Sequence, residues 1–175
     1  MSGTLDRVKA RQGLFAKIQN FLTLGYGTKE DLRELDRQMR DFYWEDLREI
    51  RHRWEKAYLE ALDSGQAALG RSFKGAIQVM DRLSAEVQRA DYGYAGFFDR
   101  KGSIREGELT RVFDYDRGFN DGVMKLREGV EKVHSSVKSK AWSSVSDEVD
   151  AVRANLDEVE SKWRGRERQF RSPEV

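Results

Sequence analysis

The two histidines of the chain stand in the same pattern. Glu49-Ile-Arg-His52 and Glu131-Lys-Val-His134 each place a glutamate three residues before a histidine. On a helix that spacing turns both side chains toward one point, so each pair is a candidate for holding a metal ion. His52, however, falls nearly opposite the apolar stripe set by Leu47, Ile50 and Trp54, which turns it toward water. In a chain this rich in glutamate such spacings also arise by chance, so surface histidines are the preferred reading. Glu49, His52, Glu131 and His134 are kept as the metal candidates. Asp114, Asp116 and Asp121 offer a second acidic group for a cation or for proton transfer. Acids around a glycine-rich stretch are expected to cap helices instead. Gly25-Tyr26-Gly27 is too short to cradle a phosphate and lacks a following Gly-Lys-Ser/Thr. No Ser–His–Asp set can be assembled, and the lack of cysteine removes disulfides, thiolate nucleophiles and zinc–thiolate sites. We expect no catalytic residue, no cofactor and no enzyme activity.

The paired Glu-x-x-His motifs resemble the ligand sets of ferritin-like di-iron proteins. That resemblance implies a helical bundle with Glu49, His52, Glu131 and His134 around two irons. Asp99 to Ile104, with Gly102, Glu108 and Leu109, resembles the second half of an EF-hand calcium loop. Phe97 and Lys101 stand where that loop needs oxygen ligands, so a tight turn at Lys101-Gly102 is expected.

The elements that carry these residues are helices. Val123, Leu126, Val130, Val133, Val137, Ala141, Val145, Val149, Val152, Leu156, Val159 and Trp163 recur in steps of three or four. Unbroken, residues 121–168 form one long helix; serines at 135, 136, 139, 143, 144 and 146 make a kink or break near Ala141–Ser146 the alternative. Thr28 begins a second long helix with the stripe Leu32, Leu35, Met39, Phe42/Tyr43, Leu47, Ile50, Trp54, Ala57 and Ala61. Asp63-Ser64-Gly65 is its natural stop, with glycine placed for a left-handed cap. The stripe nevertheless continues in phase through Phe73, Ile77, Met80, Leu83 and Val87, so residues 28–90 form either one helix or two. Residues 91–120, punctuated by glycine and filled with aromatics, read as an insert at one end. A hairpin is expected about Arg100–Gly102 and a short helix over Glu106–Tyr115.

Charge and composition bound the function. Lys and Arg number 32 against 31 Asp and Glu, so no net field drives binding to nucleic acid. A local basic and aromatic patch remains at Trp163, Arg164, Arg166, Arg168, Phe170 and Arg171; a frayed, solvated terminus is the preferred account. A single proline and 36% charged residues suit long solvated helices, and no apolar run reaches the ~20 residues of a membrane span. Residues 4–22 form a short amphipathic helix whose face Leu14, Phe15, Ile18, Phe21 and Leu22 either packs on the long helices or meets a membrane or partner. A Gly-Leu-Phe amphipathic helix followed by long charged helices resembles the membrane-remodelling family of phage-shock protein A, which implies a membrane-surface role for that face.

The sequence therefore predicts a single all-α domain over 1–175. It is an elongated antiparallel bundle or coiled-coil hairpin of three to four helices with an aromatic insert at one end. The expected role is a non-enzymatic, cytoplasmic interaction protein that self-associates through its helices. A peripheral membrane protein and a di-iron bundle are the alternatives.

Overall fold

The computed structural model describes residues 2–24, 29–90 and 106–170. Among the described residues it is a helical bundle of five α-helices with no strand. The expected Arg100–Gly102 hairpin, the half-loop from Asp99 to Ile104, Gly25-Tyr26-Gly27 and the Thr28 cap lie outside the described residues, as do the side chains of Leu22, Leu32 and Phe170.

Helix α1 spans Ser2–Leu24 and α2 spans Lys29–Asp63. Glu30 and Asp31 lie in the first turn of α2, where the positive end of the helix dipole favours acids. Gly65 ends this helix as its spacing predicts. Its φ is +80°, its N–H donates to the Leu62 carbonyl at 2.9 Å, and the Gln66 N–H donates to the Ala61 carbonyl at 2.9 Å. These two bonds make a Schellman cap, which only glycine enters without a Cβ penalty. After a 3₁₀ turn at Ala67–Leu69, α3 runs Gly70–Arg89. Residues 28–90 are thus two helices.

The expected single helix over 121–168 is corrected. The chain folds back instead, with α4 at Glu106–Lys138 and α5 at Trp142–Phe170. The break is a second Schellman cap, with the Lys140 N–H on the Val137 carbonyl at 3.0 Å and the Ala141 N–H on that of Ser136 at 2.8 Å. Lys140 takes the left-handed conformation at φ 59°. Burial of both arms outweighs the ~1–2 kcal/mol that a side chain costs there. The aromatic insert is corrected as well. From Glu106 onward it is helix, and α4 passes through Asn120 and Asp121 without a cap.

Each antiparallel pair is defined by side chains. Arg51 bonds Asp81 at 2.9 Å between α2 and α3, and Lys132 meets Glu148 at 3.5 Å between α4 and α5. The pairs stack so that α2 runs parallel to α4 and α3 parallel to α5, while α3 and α4 take opposite corners. Helix α1 lies in the groove between α2 and α4. The apolar stripes meet inside one chain. Met39, Leu47, Trp54, Phe73, Met80, Val123, Val133, Val152 and Trp163 are all buried, each large side chain contributing roughly 1.5–3 kcal/mol. Trp54 packs on Phe73 at 4.6 Å and donates its indole N–H to the Phe73 carbonyl. Gly122 lets α5 come close: a Cβ there would stand 2.9 Å from Val159 Cγ2. No described helix is long and apolar enough to cross a membrane.

Candidate functional site

The Glu-x-x-His pairs sit on neighbouring helices, but their carboxylates are held by cations. Arg53 of α2 donates to Glu131 Oε1 at 2.8 Å, and Arg127 of α4 donates to Glu49 Oε2 at 3.1 Å and Asp46 Oδ1 at 2.6 Å. The cleft between them, about 230 Å³, is lined by Glu49, Ile50, His52, Arg53, Lys56, Arg127 and Glu131. Its four cationic or basic side chains repel a metal ion rather than gather ligands for one. His52 is exposed, and His134 is half-buried outside the cleft. Among the described residues no three His, Asp or Glu groups are placed to hold a metal. The di-iron resemblance therefore finds no matching geometry: its two glutamates serve as interhelical bridges.

Leu14 and Ile18 of α1 are buried against α2 and α4. Phe15 and Phe21 are half-buried on the same core, Phe15 edge-on to Phe113 at 5.9 Å. Arg11, which interrupts the apolar face in the sequence, is itself buried and paired with Asp46; its other amino group lies 3.4 Å from Met124 Sδ. In this packing the bundle takes up Leu14 and Ile18 of the face proposed for a membrane or partner and covers Phe15 and Phe21 in part.

The largest polar feature is one that the periodicity hides. Arg166 of α5 is fully buried, with Nε 2.5 Å from Asp116 Oδ1 on α4 and Nη2 2.5 Å from Asp36 Oδ1 on α2. Arg40 bonds the other Asp36 oxygen at 3.0 Å and caps the Ala90 carbonyl at the end of α3. The cluster thus ties four helices together. The Trp163 ring lies 5.0 Å from the Arg166 guanidinium, and Tyr43 donates to the Asp116 carbonyl at 3.1 Å. Burial, and next the Asp116 charge, push the Tyr43 phenol well above its ordinary range. Among the described residues two carboxylates and two guanidinium groups meet here, so the constellation clamps the helices together with opposite charges paired. Near the end of α5 the preferred frayed terminus is corrected as far as Arg166, for Trp163 and Arg166 are buried; Arg164 pairs with Glu160 at 3.1 Å, Arg168 is exposed, and Arg171 lies outside the described residues. The acidic trio separates likewise, with Asp116 buried while Asp114 and Asp121 face water.

A different surface lies at the opposite end of α2. Between α2 and α3 runs a groove of about 510 Å³, lined by Tyr58, Leu62, Ala67, Gly70, Arg71, Lys74, Gly75 and Gln78. Leu59, 53% exposed, shares the Leu62 side of α2, three residues away. Arg71 and Lys74 are exposed, and among the described residues neither forms an ion pair with a carboxylate. Sequence reasoning missed this groove because it depends on how two helices splay beyond a turn. Its one sequence trace is Gly70 and Gly75 inside a helix. Compared with protein-family models, with curated proteins and with solved structures, the chain matches none.

Proposed function

We propose that this chain is a non-enzymatic interaction protein of the cytoplasm. On this reading it is a scaffold of two antiparallel, coiled-coil-like pairs that presents a stiff outer face to another protein. One observation carries it: many of the close ion pairs, the most deeply buried among them, bridge helices. Arg53 to Glu131, Arg127 to Glu49 and Asp46, and Arg166 to Asp36 and Asp116 each join two different helices. Carboxylates held in this way stiffen a bundle and are poorly placed to take a proton from a substrate. Self-association, which the long seam favours on sequence grounds, has to use an outer surface here, because the seam is buried within one chain.

Size-exclusion chromatography with light scattering on the chain purified from its native source tests the reading. The expected result is a stoichiometric complex, with another protein or a second copy, above the 20.3 kDa of one chain. A strict monomer that brings no stoichiometric partner would remove it.

A further inference from the structure

We infer that the groove between α2 and α3 receives an acidic, amphipathic helix of a partner protein. The inference rests on the reading of this chain as an interaction protein and names the chemistry of what it binds. The two walls of the groove differ. Tyr58 and Leu62 give the α2 wall an apolar surface, which exposed Leu59 extends outward. Arg71 and Lys74, one turn apart on α3, give the other wall two positive charges, and no acid lines the groove. The other half of α3 behaves differently: Asp81 takes Arg51 at 2.9 Å and Arg82 takes Glu160 at 2.7 Å. Arg71 and Lys74, by contrast, bind no described carboxylate, so the cationic wall of the groove is left unmatched by the described residues. A helix carrying leucine-like residues on one edge and carboxylates one turn apart on the next complements both walls at once.

The floor fits a helix too. A Cβ on Gly75 would meet nothing within 4 Å, and one on Gly70 would only touch Leu62 and Tyr58 at 3.9 Å. Internal packing therefore does not demand glycine at either position, although each costs ~1 kcal/mol of helix propensity. What the two glycines provide is depth, which lets a second backbone come near α3.

The experiment uses the full chain and three fluorescent helical peptides. They share leucines at helical spacing and carry Glu, Gln or Lys on the flanking positions; anisotropy reports binding. The Glu peptide is expected to bind about tenfold or more tighter than the Lys peptide, and the preference should shrink as salt rises. Arg71→Glu/Lys74→Glu should abolish the preference. Gly75→Leu, which fills the floor, should weaken the Glu peptide while an unchanged circular dichroism spectrum shows the bundle intact. Equal binding of the three peptides would overturn the inference. So would a Glu-peptide affinity untouched by these variants, a groove filled by a second copy in light scattering, or displacement of the Glu peptide by a single-stranded oligonucleotide that binds more tightly. If the peptides fail while native purification still yields a stoichiometric partner, the groove is wrong and the interaction role stands. A strict monomer in native purification removes the role itself, whatever the peptides do.

Discussion

The two ends of α2 treat charge in opposite ways. From its start to its middle, Asp36 and Asp46 are buried and each meets two guanidinium groups, Arg40 with Arg166 and Arg11 with Arg127. Near its end, α2 offers an exposed leucine across from Arg71 and Lys74, which bind no described carboxylate. The first arrangement is complete within the chain. The second has an apolar and a cationic half whose complement the chain does not provide among its described residues. Buried ions are expensive unless neutralised, so the paired end is where the fold is committed; unpaired surface cations cost little and are free for recognition.

The contrast predicts an ordered set of effects. The largest belongs to the paired end. Arg166→Met leaves Asp116 and part of Asp36 buried without their cation and should cost about 3–5 kcal/mol in urea unfolding. The matching change at the groove, Arg71→Met, should fall within about 0.5 kcal/mol. Similar losses from the two would erase the distinction. Glycine gives the next test. Gly122→Ala pushes a Cβ against buried Val159 and should destabilise by about 1–3 kcal/mol. Gly75→Ala meets no neighbour and should stabilise by up to ~1 kcal/mol. A loss at Gly75 would mean that the floor of the groove serves internal packing after all.

The smallest effect sharpens the paired end through pH. The unfolded chain ionises tyrosine near its ordinary value of 10, whereas buried Tyr43 keeps its proton well above it. The stability this contributes is whole below pH 10 and drains away as pH climbs toward the folded value. Between about pH 9 and about pH 11 the parent should therefore lose more stability than Tyr43→Phe. Parallel pH curves for the two would show that the phenol is not isolated from solvent.

The helices were legible because apolar residues repeat every three or four positions, and the core follows that register from Val123 to Trp163. Ala141 is the exception, exposed at the fold-back. The register hid that reversal, since both arms face the same core and the stripe keeps its phase across the turn. Gly65 announced its cap by residue type, whereas Lys140 adopts the same geometry with no such signal. The clamp was concealed for a related reason. Asp36 and Asp46 sit in the same three-and-four register as Met39, Tyr43 and Ile50, yet a charge on a helix reads as solvated until its partner is known. Arg166 is separated from Asp36 by 130 positions and from Asp116 by 50, and nothing local links them. For α1 the sequence shows the apolar face, while the groove between α2 and α4 that receives it is visible only in the fold.

Arg166 also gives the fold a direction in time. A ribosome makes Asp36 first and Asp116 next, and the cation that bridges both follows only with α5. Until it emerges, Asp116 and one oxygen of Asp36 lack this cation, and burying them is costly. A protease that trims the last helix back past this residue returns the product to that unfinished state.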